Sequence, residues 1–83
     1  MIVSAEISLY PMDKNYSVFI REFLDRMQNQ QGIKMKVNEM SSFICGEYDE
    51  VMNALTKELK TSFDQHGVKI GVLKLINMDM TEQ

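Results

Sequence analysis

An 83-residue chain has room for one small domain, residues 1–83, and no second compartment in which to assemble a catalytic superstructure. Nine Lys plus Arg against twelve Asp plus Glu give a net charge of −3, the wrong sign for a protein held by phosphate contacts, and 45% hydrophobic residues separate it from disordered chains. The single cysteine, Cys45, excludes an intrachain disulfide and a multi-thiolate metal site; with Glu6 inside the N-terminal apolar run there is neither a signal peptide nor a membrane span to expect, so the chain reads as cytoplasmic.

Ile2 to Tyr10 alternates, with Val3, Ala5, Ile7 and Leu9 on one side and Ser4, Glu6, Ser8 and Tyr10 on the other, which predicts a half-buried strand ended by Pro11. Ser17 is then placed to cap a helix whose apolar positions Phe19, Ile20, Phe23, Leu24 and Met27 share one stripe, with Gly32 stopping it. Ile33 to Met40 and Ser42 to Glu47 read as a hairpin. Tyr48 to His66 reads as a second helix, with Asp49 and Glu50 near its positive end, Val51, Met52, Leu55, Leu59 and Phe63 spaced for burial, and His66 capping its last turn. Val68 to Met78 is the last strand, apolar on both faces.

Strand, helix, strand, strand, helix, strand is the βαββαβ order of an α+β, ferredoxin-like domain. Right-handed crossovers place both helices on one face of a four-stranded antiparallel sheet and leave the other face bare. The bare face is expected to collect Ser4, Glu6, Ser8, Tyr10, Lys36, Asn38, Ser42, Ile44, Ile70, Val72 and Lys74, with Phe43 and Cys45 turned toward the helices. In a monomer Ile70, Val72 and Ile76 would form an exposed patch, which a second copy of the chain would cover.

Four segments carry a family resemblance: Glu6-Ile-Ser-Leu-Tyr-Pro11, Lys36-Val-Asn-Glu-Met-Ser-Ser42, Gly46-Glu-Tyr-Asp-Glu-Val51 and Leu73-Lys-Leu75. In this order and at this spacing the chain resembles the short thiamine-binding protein family related to YkoF, over nearly its whole length. It departs from that pattern at Ser41, Cys45 and Ile76, where relatives often carry glycine, an acid and aspartate. The resemblance implies a ferredoxin-like fold, assembly through sheets as a dimer or tetramer, and binding of thiamine or its hydroxymethylpyrimidine part without turnover.

Thiamine needs a slot for a flat aminopyrimidine, hydrogen-bonding groups for its ring nitrogens and amine, and an anionic or aromatic surface for the thiazolium cation. On the bare face Glu6 and Tyr10 are candidates for the cation, Ser8, Asn38 and Ser42 for the neutral polar contacts, and Met40 for packing on the ring. No cofactor, metal, nucleic-acid or membrane partner is expected beside that ligand. The chain lacks a Ser/His/Asp set, clustered metal ligands and a phosphate-cradling glycine loop, so it reads as a binding protein and not as an enzyme. The alternative is a metabolite-sensing regulatory or protein-interaction module on the same fold. An acyl phosphate hydrolase would want an arginine in the loop after the first strand, whereas Arg21 and Arg26 both lie well inside the first helix.

Overall fold

The computed structural model describes residues 1–12, 14–37 and 42–81. The elements follow the expected order: β1 (Ile2–Pro11), α1 (Tyr16–Gln28), β2 (Lys34–Val37), β3 (Ser42–Glu47), α2 (Tyr48–Asp64) and β4 (Lys69–Ile76). The four strands form one antiparallel sheet in the order β2-β3-β1-β4.

The period-2 pattern of β1 does what its chemistry dictates. Val3, Ala5, Ile7 and Leu9 are buried beneath the helices, and with Ile44 of β3 they meet Phe23 and Met27 of α1 and Val51, Ala54 and Leu55 of α2. Burying each of the larger side chains is worth about 1.5–3 kcal/mol. The apolar stripe of α2 is spent unevenly: Val51 and Leu55 are buried and Met52 and Leu59 half-buried, while Phe63 is 51% exposed because it lies at the rim, over Gly71 of β4.

The two helices are joined by a polar cluster. Arg26 Nε donates to Glu58 Oε1 at 2.8 Å, Arg26 Nη2 donates to Ser62 Oγ at 2.6 Å, and Gln30 Nε2 donates to Glu58 Oε2 at 2.7 Å. Glu58 and Ser62 are buried. A carboxylate taken out of water needs both oxygens satisfied, and here α2 supplies the acid while Arg26 of α1 and Gln30, just beyond the end of α1, supply the donors.

The helix ends differ from expectation. The cap of α1 is Asn15, whose carbonyl accepts the Val18 N–H at 3.0 Å; Ser17 lies inside the first turn. That helix ends at Gln28, and Gly32, at φ 79°, turns the chain into β2 instead of closing the helix. Helix α2 stops at Asp64, so His66 is beyond it and exposed. The cation at that end is the Lys69 ammonium, which donates to the carbonyls of Gln65, His66 and Gly67 at 3.3, 3.0 and 3.4 Å.

Candidate functional site

The strand register builds the open face row by row, because residues directly opposite each other in antiparallel strands point the same way. One row runs Lys34, Cys45, Ser4, Ile76; the next runs Lys36, Phe43, Glu6, Lys74. Beyond them Ser8 lies opposite Val72 and Tyr10 opposite Ile70. Glu6, Ser8, Tyr10, Lys36, Ile70, Val72 and Lys74 are therefore on the expected face.

Two expected positions are not. Ser42 pairs with Ile7 and Val37, and Ile44 pairs with Ala5 and Met35, so both point toward the helices and are buried there. Phe43 and Cys45 take their places on the open face. The physical reason lies at Gly46, on the helix side in register with Ile44. A Cβ there would approach the Gly32 carbonyl oxygen to 2.5 Å and Val51 Cγ2 to 3.4 Å, so the helix-side row needs a residue without a side chain at that position. Asn38 and Met40 lie outside the described residues.

The centre of the open face is charged. Lys74 Nζ stands 3.6 Å from Glu6 Oε1, so the carboxylate expected to receive a ligand's cation already faces an ammonium. Phe43 sits beside Glu6 on the other side. The Met12 N–H bonds the Val68 carbonyl, and the Tyr48 N–H bonds the Met1 carbonyl. Followed along the alternating ladder, these bonds make Glu6 and Phe43 a non-hydrogen-bonded pair, the kind whose Cα atoms come within about 4.5 Å and whose side chains are closest. Phe43 thus offers an aromatic surface next to an acid, the two elements a flat cation uses.

One end of this face is closed by the chain itself. After β4 the backbone folds across the sheet: Ser4 Oγ donates to the Met78 carbonyl at 2.7 Å and accepts the Met80 N–H at 2.8 Å, while Lys34 Nζ lies 3.3 Å from Asp79 Oδ2. Asp79 Oδ1 in turn accepts the Thr81 hydroxyl and N–H. The Thr81 hydrogen bonds, hydroxyl first, hold the Asp79 carboxyl well below the usual carboxylate range. Beneath this strap Cys45 is buried, and that burial pushes its thiol up, away from the reactive thiolate. The accessible part of the face is thereby reduced to the rows from Glu6 to Tyr10.

The fold and this one-sided sheet define the class: a ferredoxin-like α+β protein with a bare sheet face. The model of the YkoF-related family matches residues 2–69, and the chain belongs to that family. Solved structures agree on the fold. A Thermotoga maritima protein assigned provisionally to thiamine biosynthesis or salvage superposes with a TM-score of 0.86 at 15% identity, covering 99% of this chain and 94% of its own. A Streptococcus pneumoniae protein gives 0.86 at 20% identity, covering 96% and 90%, and a Methanocaldococcus jannascii protein gives 0.80 at 20%, covering 96% and 84%. No curated protein matches the chain. Among the described residues, no helix is long and apolar enough to cross a membrane.

Proposed function

We propose that this protein is a non-catalytic binding protein for a flat heteroaromatic molecule, cationic thiamine or its neutral hydroxymethylpyrimidine part, taken up on the open sheet face and enclosed by a second copy of the chain. The observation that carries the reading is the adjacent Phe43 and Glu6 in the middle of that face. In this reading the ring stacks on Phe43, Glu6 receives the positive charge in place of the Lys74 ammonium, Ser8 supplies a neutral hydrogen bond, and Tyr10 closes the rim. Asn38 and Met40 join the proposed contacts on sequence grounds alone. Ser42 does not, since it points to the helices. Family membership and the provisional thiamine assignment of the Thermotoga maritima protein support the choice of ligand.

The test is calorimetric titration with thiamine, hydroxymethylpyrimidine and thiamine phosphates. Saturable binding of thiamine is expected, and Glu6→Gln should weaken thiamine by roughly tenfold while changing the neutral pyrimidine little, the factor lost with about 1.4 kcal/mol of charge interaction. No binding of any of these ligands removes the reading, and equal losses for both remove Glu6 from the cation's contacts.

A further inference from the structure

The middle row of the open face has an order as well as a composition. Read from β3 through β1 to β4 it runs Phe43, Glu6, Lys74: an aromatic ring, an anion and a cation, each on the next strand. Neighbouring strands lie about 4.8 Å apart, so the three groups mark out a span of about 10 Å across the sheet. The two steps differ. Glu6 and Phe43 form the close, non-hydrogen-bonded pair, whereas the same alternation makes Glu6 and Lys74 a hydrogen-bonded pair, whose Cα atoms stand about 5.5 Å apart. The ring and the acid are the tight contact, and the acid and the ammonium are the one with room to open.

Lys74 is also the partner that can swing. Its side chain is 71% exposed, against 26% for Glu6, so their ion pair at 3.6 Å is one that solvent lets open at little cost. The other ammonium groups of this face are placed differently. Lys34 lies in the next row, 3.3 Å from Asp79 of the strap. Lys36 lies on β2, on the far side of Phe43 from Glu6. An anion joined to a cation seated at Glu6 reaches Lys74 on the adjacent strand, whereas reaching Lys36 would carry it back across the ring stacked on Phe43.

We propose that the site reads a zwitterion and that Lys74 is the residue that selects it: the preferred ligand is a flat cationic heteroaromatic molecule whose side arm ends in a phosphate monoester. Thiamine monophosphate has that order. Its pyrimidine ring, its thiazolium cation and the phosphate on its hydroxyethyl arm match Phe43, Glu6 and Lys74 in turn. On binding, the thiazolium takes the place of the ammonium at Glu6 and the ammonium turns to the phosphate, so each charge of the protein and each charge of the ligand has an opposite partner. Thiamine without the phosphate displaces the ammonium and offers it nothing in return, and the pyrimidine alone carries neither charge. This selection rests on the proposed seating of the ring on Phe43 and of the cation at Glu6.

Calorimetric titration of the full chain with thiamine and with thiamine monophosphate tests it. The monophosphate should bind about fivefold tighter than thiamine, the gain from one exposed charge contact. Lys74→Met should reverse that order, tightening thiamine and weakening the monophosphate, while Lys74→Arg and Lys36→Met should both keep it. Both lysines are exposed, so these variants retain the fold. A merely structural role for Lys74 would move the two ligands in the same direction, and that result overturns the proposal. So does equal binding of thiamine and its monophosphate by the wild-type chain, a preference for the monophosphate that survives Lys74→Met, or a preference lost in Lys36→Met instead; each of these leaves the thiamine site itself in place. Absence of binding for both ligands in the wild-type chain removes that site, and the selection with it.

Discussion

The two faces of this sheet are made from the same strands and are built on opposite principles. On the helix side Val3, Ala5, Ile7, Leu9 and Ile44 are closed off from water, and even the polar groups of the helix pair, Glu58 and Ser62, are buried with their partners in place. On the open side the central row is Lys36, Phe43, Glu6 and Lys74, and the only cover described is the chain's own strap over Ser4 and Cys45. Stability is concentrated on the first face, and exchangeable interactions are concentrated on the second. A substitution should therefore change the folding free energy on one side and mainly the binding behaviour on the other.

The largest effect expected from breaking this division is on the helix side. Glu58→Ala leaves the Arg26 guanidinium without its buried carboxylate and should cost about 3–5 kcal/mol in urea denaturation, whereas the paired replacement Arg26→Met with Glu58→Leu should restore most of that loss. An intermediate effect belongs to the strap. Ser4→Ala removes a hydroxyl that donates to one strap residue and accepts from another, and should cost about 1–3 kcal/mol while making Cys45 react faster with a thiol reagent. Unchanged thiol reactivity would show that the strap does not shield the cysteine. The smallest stability effect is on the open face: Lys74 is largely exposed, so Lys74→Met should change stability by no more than about 0.5 kcal/mol. Its signature is in binding, where removing the Lys74 ammonium from beside Glu6 should tighten thiamine severalfold in calorimetry. If Lys74→Met weakens thiamine, the lysine is a ligand contact and not a competitor.

Much of this architecture is legible in the sequence, for reasons that can be traced to individual residues. In β1 every second residue from Val3 to Leu9 is apolar, so one face could be assigned with Glu6, Ser8 and Tyr10 on the other. Both helices carry stripes of the right period. The faces of β3 are not legible, because Phe43, Ile44 and Cys45 are consecutive apolar residues and alternation cannot choose between them. The choice is made by backbone approach at Gly46, a contact between segments far apart in the sequence. For that reason alternation alone does not bring Phe43 to the candidate site, and it places Ser42 on the open face whereas the register turns it to the helices. The strap is hidden in a different way: the apolar pattern predicts a strand through to Met78, whereas β4 ends at Ile76 and the following residues find polar partners on Ser4 and Lys34. Such long-range polar contacts leave no periodic trace.

The Arg26–Glu58–Ser62–Gln30 cluster has a consequence for how this protein can be recombined with its relatives. Helices α1 and α2 are matched to each other by complementary charge, independently of how each lies on the sheet. A chimera that imports one helix without its counterpart strands either an acid or a guanidinium between the two, while a chimera that imports both carries the match with it. The helix pair, and not the single helix, is the unit of exchange.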